Sequence, residues 1–273
     1  MLVSYLTKGG TKDLLVPYFQ FQRLRSQALD EALFTEIAKL RYEVYCSECR
    51  YLEESDYEFG LETDDFDDRS IHVAASSLDN SVVGTVRLVM GSDADEFPFE
   101  EHCTIYPDFK MPPREQCGEV SRLIVKKSMR RRTGDSLQGV SKEFQEKGNA
   151  GSIAPQAATA GKNRRSQSPQ IMLGMYREMY RYSRANGVRY WFAAMEKGLA
   201  RLLDHMGFHF EPVGPETDYY GPVTTYMADL RELEVTLRGM NEFRLAWFQD
   251  EPINDWMLVS TVVKYKLFGL GKV

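Results

Sequence analysis

The sequence of 273 residues predicts an α/β fold in which a central mixed β-sheet is flanked by helices. Segments with strand patterns and segments with helical spacing alternate along the chain, in the order β, α, β, β, β, α, β, α, β, β. Hydrophobic residues make up 43% of the chain and aromatic residues 12%, which is enough for a sizeable core. The chain has no internal repeat, so we predict a single domain over residues 1–273.

Each element is predicted from the spacing of its apolar residues. Alternating apolar and polar residues, or a short β-branched run, indicate a strand, and apolar residues three or four apart indicate a helix. Ser26 or Asp30 can cap the first helix, and Asn186-Gly187 can end a later one. In chain order the predicted elements are a strand at 18–24, a helix over 28–49, strands at 71–78, 82–90 and 118–126, a helix at 169–185, a strand at 188–195, a helix at 197–206, strands at 208–213 and 223–229, and a helix around 230–248.

Two segments are predicted to lie outside the sheet core. Residues 134–168 are rich in Gly, Ser, Ala, Gln and Asn, which favours a flexible insertion or lid. Residues 230–273 are predicted to form a C-terminal helical extension, and its apolar stretch at 256–263 is too short to span a bilayer. We therefore expect only peripheral membrane contact through this tail. Residues 1–10 lack the apolar run of a signal peptide, so we expect a cytoplasmic protein with reduced thiols.

Charge and cysteine spacing argue against two classes of function. The formal net charge is −6, which argues against general nucleic-acid binding and makes any basic cluster a local feature. Cys46-x-x-Cys49 matches half of a zinc site. No second C-x-x-C and no H-x-x-x-H completes it, so we expect no bound metal.

The most informative stretch is residues 117–133, CGEVSRLIVKKSMRRRT. An E-x-S-R motif is followed by a β-branched run that predicts a buried strand, and five cations then occur within residues 126–132. Glu119 and Arg122 are three residues apart, so a regular strand would place them on opposite faces. We predict a β-bulge near residues 119–123 that brings both to one face, because bulges are common beside active sites.

A second group of charged residues precedes this stretch. Arg87 lies in the middle of an apolar strand, and a buried arginine must be paired. The natural partners are the acids at 62–67 or Glu119. The acidic segment 60–68 lacks the spacing of an EF-hand, so it is either a solvated loop or a set of carboxylates that pairs with arginines. His72 is either an ordinary core histidine or part of the same site.

These motifs, in this order, resemble a known group of acyltransferases. The resemblance is to the acyl-homoserine-lactone synthases and the long-chain N-acyl amino acid synthases, through Arg41-x-x-Val44-Tyr45, Glu62-x-Asp64-x-x-Asp67, Arg87 in G-T-V-R-L, and Glu119-x-Ser121-Arg122. Within this group, the sequence most resembles the PEP-CTERM/exosortase system-associated acyltransferases. The residues responsible are 40–48, 129–132, 195–203, 206–215 and Tyr219-Tyr220-Gly221. The likeness covers residues 15–230 and implies a GNAT-like acyltransferase fold.

The resemblance implies transfer of a long-chain fatty acyl group from a thioester of acyl carrier protein, or of coenzyme A, to the amine of an amino acid or similar small acceptor. It implies no permanently bound cofactor. The predicted catalytic residues are Glu119, Arg122, Ser121 and Arg87; the predicted substrate-binding residues are Arg41, Glu62, Asp64, Asp67 and His72; and the predicted acyl-donor-binding residues are Leu123, Ile124, Val125, Lys126, Arg130, Arg131 and Arg132. The cations suit an acidic carrier protein or the phosphates of coenzyme A.

The sequence leaves several alternatives open. Glu119 is either the general base, acting through a water, or a member of a buried ion network. Neighbouring arginines would lower its pKa and burial would raise it. The chain has no Trp before Trp191, where the lactone synthases characteristically carry one, which favours an amine other than S-adenosylmethionine. The other readings are an acyl-homoserine-lactone-type autoinducer synthase and a non-catalytic acyl-lipid-binding protein on the same fold.

Overall fold

The computed structural model describes residues 18–25, 31–130, 168–240, 242–253, 255–257 and 259–260. The predicted insertion therefore lies outside the described residues except for Ser168, which begins a helix. Arg131 and Arg132 also lie outside them, as do both predicted caps of the first helix. Within the described ranges, no helix combines the length and the hydropathy that a membrane span requires.

In the described part of the chain, seven strands form one mixed sheet, as predicted. The spatial order is β1-β2-β3-β4-β5-β7-β6, and the neighbours are antiparallel except β4 and β5, which are parallel. The strands are β1 (Phe19–Leu24), β2 (Ser70–Ser77), β3 (Val82–Met90), β4 (Cys117–Val125), β5 (Tyr190–Met195), β6 (Glu211–Asp218) and β7 (Pro222–Asp229).

Helices cover both faces of this sheet. They are α1 (Glu31–Tyr42), continued by a π-helical turn (Glu43–Glu48), then α2 (Ser168–Ala185), α3 (Lys197–His205), α4 (Leu230–Met240) and α5 (Glu242–Gln249). Helix α1 packs Phe34 and Ile37 against one face. Helices α2, α4 and α5 contribute to the largest hydrophobic cluster, on the opposite face. This layered arrangement confirms the predicted α/β class.

Helix α2 approaches the sheet closely, and a glycine permits that approach. A Cβ added at Gly174 would lie 2.1 Å from the ring of Phe21 on β1. The apolar side of α2, which includes Met175, Tyr176 and Met179, is fully buried against the sheet. Most of the aromatic and methionine residues that mark this helix in the sequence therefore form core.

Two predicted elements differ from the structure. The strand expected at 208–213 begins at Glu211 and continues through Pro215, because β6 pairs only with β7 and an edge strand tolerates proline. Phe208 and Phe210 are instead buried in the main core cluster. The single helix expected around 230–248 is two helices, α4 and α5, and Gly239 near the end of α4 lowers the helix propensity there.

The sheet opens between β4 and β5. These two strands pair only where Cys117–Glu119 lies beside Tyr190–Phe192, although β4 continues to Val125 and β5 to Met195. Beyond Glu119 the two parallel strands therefore separate, and their unpaired halves form the walls of a cleft. The residues that the sequence singles out lie at the point of separation.

Candidate active site

A β-bulge in β4 lies at this opening, as predicted. Thr85 pairs with Ile124 and Arg87 pairs with Ser121, so Arg122 and Leu123 together oppose the single residue between the two on β3. Arg122 has a φ of 52°, in the left-handed region that residues with a Cβ seldom adopt. The contacts of Glu119 and Arg122 show that the bulge turns both side chains toward the α1 face.

A cavity fills the space between the separated strands. Residues from both faces of the sheet line it, since Leu123 and Tyr176 belong to the core cluster under α2 while Phe99 belongs to a cluster on the opposite face. The lining residues are Tyr45, Tyr51, Leu52, Pro98, Phe99, Glu119, Val120, Ser121, Arg122, Leu123, Tyr176, Ala193, Ala194, Met195, Glu196, Leu199, Tyr219, Tyr220 and Val223. The cavity thus combines apolar walls with a small set of polar groups.

Glu119 is a buried carboxyl group on the wall of this cavity. Its side chain is 3% exposed, and its Oε2 accepts a hydrogen bond of 2.9 Å from the backbone N–H of Phe99. Burial raises the pKa of Glu119 to about 8, outweighing the Phe99 hydrogen bond and the positive charges of Arg87 and Arg122. Of the two opposing effects on this pKa, burial therefore outweighs the nearby arginines.

Beside Glu119 lies a network of three arginines and three carboxylates. Arg41 of α1 is fully buried; its Nε donates to Glu62 and its Nη1 donates to Asp67 Oδ1 at 2.8 Å. Burial alone would raise the pKa of Asp67, but the charges of Arg41 and Arg87 hold that pKa well below its usual range. The acidic segment is therefore the arginine-binding carboxylate set, and the solvated-loop alternative is wrong.

The network reaches the cavity through Arg122. Its Nη2 donates to Glu62 Oε1 at 2.8 Å and to Asp64 Oδ2 at 2.9 Å. Arg87 donates to Asp64, to Asp67 Oδ1 at 2.7 Å, and through its Nε to Ser121 Oγ at 3.0 Å. Three positive and three negative charges balance, and among the described ion pairs none joins Glu119 to an arginine. Glu119 is thus a separate carboxyl group.

His72 is buried behind the network and does not line the cavity. Burial lowers the pKa of His72 to about 4, so the ring is neutral at physiological pH. Its Nε2 lies 3.4 Å from the backbone oxygen of Asp67. Arg41, Glu62, Asp64, Asp67 and Arg87 likewise lie behind the cavity wall and support Arg122 and Ser121 from there.

The described part of the basic turn is paired with acids. Arg130 has only 4% of its side chain exposed and binds Glu48 of the π-helical turn. Lys127 lies 3.7 Å from Glu48, and Lys126 lies 4.0 Å from Glu43. Ile124 and Val125 are fully buried in the core, so of the predicted acyl-donor residues described here only Leu123 lines the cavity.

Tyrosines form another part of the wall. Tyr45, Tyr219 and Tyr220 belong to the motifs of the resemblance, but the sequence assigns them no site role, and it does not single out Tyr51. The Arg122 guanidinium lies 5.3 Å from the centre of the Tyr45 ring, and the rings of Tyr51 and Tyr220 stack with centroids 5.3 Å apart. Tyr219 contacts Tyr220 at 4.6 Å. The π-helical turn after α1 presents Tyr45, and such turns are frequent at functional sites. Within the described residues, no cluster of three or more His, Cys, Asp or Glu is arranged for a metal ion.

Comparisons with known proteins agree with this architecture. Residues 40–138 match the family model described as the acetyltransferase (GNAT) domain. No curated protein matches the sequence significantly.

Solved structures show the same fold over most of the chain. The CoA-dependent acyl-homoserine lactone synthase BjaI, with SAM and isopentyl-CoA, superposes with a TM-score of 0.54 at 17% identity and covers 89% of this chain and 99% of its own. TofI, in a ternary complex with an inhibitor and MTA, has a TM-score of 0.54 at 15% identity, and the match covers 79% of this chain and 96% of TofI. The AHL synthase LasI has a TM-score of 0.53 at 16% identity, and the match covers 81% of this chain and 95% of LasI. The chain therefore has the GNAT-type acyltransferase fold, with a seven-stranded mixed sheet flanked by helices.

Proposed function

We propose that this protein is an N-acyltransferase that moves a long-chain fatty acyl group from a thioester to the amine of an amino acid or similar small acceptor. The observation that carries the proposal is Glu119, a buried carboxyl group whose pKa of about 8 suits a general base near neutral pH. It lies at the opening of the sheet, on a cavity with both apolar and polar walls. The GNAT-type fold and the domain match support the same class of reaction.

The reaction needs a neutral amine and a polarised thioester. In the proposed step the nitrogen lone pair attacks the thioester carbonyl carbon, the carbon–sulfur bond breaks, and the thiol leaves. Glu119 accepts the proton that the nitrogen loses, directly or through a water, and passes it to the departing sulfur. An amide and a free thiol are the products.

We assign Arg122 to the oxygen of the reacting carbonyl. It is the cationic residue among the described lining residues, and Glu62 and Asp64 hold its guanidinium in place. A donor fixed in advance stabilises developing negative charge without reorganisation. Arg41, Asp67 and Arg87 act through this arrangement as positioning residues, and Arg87 also orients the Ser121 hydroxyl.

For the acyl donor, we propose a carrier-protein or coenzyme A thioester whose chain enters the apolar part of the cavity. Leu123, Tyr176, Met195 and Leu199 supply that surface. The acidic carrier protein would dock at the basic turn. Of its described cations, Lys127 is the most exposed, with 70% of its side chain accessible, and Lys126 is half as exposed.

The test is a mass-spectrometric screen of organic extracts from cells that overproduce the protein. The controls are an empty vector, the Glu119→Ala variant, and the Glu101→Gln variant, which changes an exposed glutamate two residues after the cavity residue Phe99. We expect a new N-acyl compound in the wild-type and Glu101→Gln extracts alone. Equal amounts of that compound in Glu119→Ala cells would overturn the role of Glu119. A purified protein that binds acyl thioesters without releasing thiol would favour the acyl-lipid-binding alternative.

The second candidate is an acyl-homoserine-lactone-type synthase that uses S-adenosylmethionine. The fold shared with BjaI, solved with SAM and isopentyl-CoA, favours it. Release of methylthioadenosine together with thiol from the purified protein would support this candidate over the amine acceptor. A link to the PEP-CTERM/exosortase system and a cytoplasmic location stay predictions from the sequence.

A further inference from the structure

The cavity wall carries an aromatic array with acids beside it. Tyr45, Tyr51, Tyr219 and Tyr220 all line the cavity, and neighbouring rings are in contact. Tyr45 already receives the guanidinium of Arg122 over its ring, so this wall holds a cation within the protein itself.

Tyr220 takes its place in this array with an uncommon, left-handed backbone conformation. Tyr220 has a φ of 54° and is followed by Gly221 at 113° in the turn between β6 and β7. The turn is fixed by a hydrogen bond of 2.9 Å from the Tyr219 N–H to the Gly221 oxygen and one of 3.2 Å from the Gly221 N–H to Asp218 Oδ1. Backbone strain of this kind is concentrated at ligand-binding sites. It sets Tyr220, 48% exposed, against Tyr51 from a distant part of the chain.

Carboxyl groups outnumber cationic groups among the described residues that line the cavity. Glu119 and Glu196 line the cavity, and the cation among the described lining residues, Arg122, is already bound by Glu62 and Asp64. A ligand carboxylate would therefore meet two acids and an arginine whose charge is compensated. An ammonium group would meet aromatic faces and carboxylates, which are the groups that recognise organic cations.

We propose that the acceptor is a primary amine that enters as an ammonium cation and carries no carboxylate, and that Tyr51, Tyr219 and Tyr220 bind it. This inference rests on the proposed function and narrows its acceptor from amino acids to their decarboxylated counterparts and similar amines. The ammonium first loses one proton to solvent through the Glu119 carboxylate. The neutral nitrogen then attacks the thioester carbon, and its second proton passes through Glu119 to the departing sulfur, so that an amide and a thiol form.

The test compares matched ligands by isothermal titration of the full chain: 1,4-diaminobutane against ornithine, and phenethylamine against phenylalanine. Each pair differs by one carboxylate. We expect each amine to bind about tenfold more tightly than its amino acid, since a carboxylate in this cavity lacks a free cation. Equal or tighter binding of the amino acids, or no binding of either class, would overturn the inference.

Variants of Tyr220 test the aromatic wall itself. Tyr220→Leu keeps apolar bulk without a π face and should weaken amine binding about three- to thirtyfold, whereas Tyr220→Phe keeps the face and should stay within about twofold. Tyr106→Ala, at an exposed tyrosine outside the cavity, is the control. Unchanged binding in Tyr220→Leu contradicts the inference.

A thiol-release assay with the same ligands tests the proposed acyl transfer separately from the proposed amine site. Amines that bind tightly but release no thiol from any acyl thioester would refute the proposed transfer and leave the amine site standing. Thiol release that is faster with amino acids than with amines would refute the amine site and leave the transfer standing.

Discussion

The buried carboxyl group of Glu119 makes stability depend on pH in a predictable direction. An unfolded chain would titrate this group at its ordinary pKa of 4.5, whereas burial raises the pKa of Glu119 in the native protein to about 8. Between these two values the native state binds one proton more than the unfolded state. Stability therefore falls as pH rises through this window, because the native protein resists the ionisation that the unfolded chain accepts.

The magnitude follows from the linkage relation. One proton of difference changes the free energy of unfolding by about 1.4 kcal/mol per pH unit, so wild type should lose about 2 kcal/mol from this group between pH 6 and 7.5. Glu119→Gln keeps the shape of the side chain and cannot ionise. The difference in stability between variant and wild type isolates Glu119, because all other groups titrate in both proteins.

Urea unfolding of both proteins at pH 6.0 and 7.5 measures that difference. We expect Glu119→Gln to gain about 2 kcal/mol relative to wild type over this interval, whichever protein is more stable at pH 6.0. A stability difference that is constant with pH would refute the reasoning, since Glu119 would then ionise near its ordinary pKa and be already charged at both values.

Three further changes test other parts of the structure. Asp67→Asn should cost about 3–5 kcal/mol in urea unfolding because it leaves buried arginines under-compensated, whereas the exposed neighbour Asp68→Asn should have little effect. Gly174→Ala should lower the free energy of unfolding by about 1–3 kcal/mol through a clash with a Phe21 ring that lies 2.1 Å from the added Cβ, and wild-type stability would contradict the packing of α2 on β1. Reversing Lys126 and Lys127 to Glu should raise the KM for acyl carrier protein and flatten its salt dependence, and an unchanged salt slope would exclude this turn as the docking site.

The sequence was sufficient for features that follow from local rules. A buried arginine requires partners, so the sequence predicts that Arg87 pairs with the acids at 62–67, and the network confirms the pairing. The spacing of Glu119 and Arg122 required an irregular strand, and the bulge at Arg122 provides it.

Other features depend on contacts between distant segments, which periodicity does not encode. The pKa of Glu119 is raised by its burial and lowered by a hydrogen bond from the Phe99 backbone, and nothing in the E-x-S-R motif fixes either surrounding. The stacking of Tyr51 on Tyr220 joins the segment after the π-helical turn to the β6–β7 turn, about 170 residues later in the chain. Burial of Arg130 against Glu48 likewise could not be inferred from a run of basic residues.

In the proposed mechanism, Glu119 removes a proton during acyl transfer. The most direct test is the ratio of kcat/KM for thiol release between wild type and Glu119→Gln, measured from pH 6 to 9 with an amine acceptor. The acceptor and the thioester titrate identically in both reactions, so the ratio reports Glu119 alone. We predict that the ratio rises about tenfold per pH unit below the pKa of Glu119, levels off near pH 8, and reaches about 10²–10⁴. A ratio close to one at every pH would show that Glu119 is not the base.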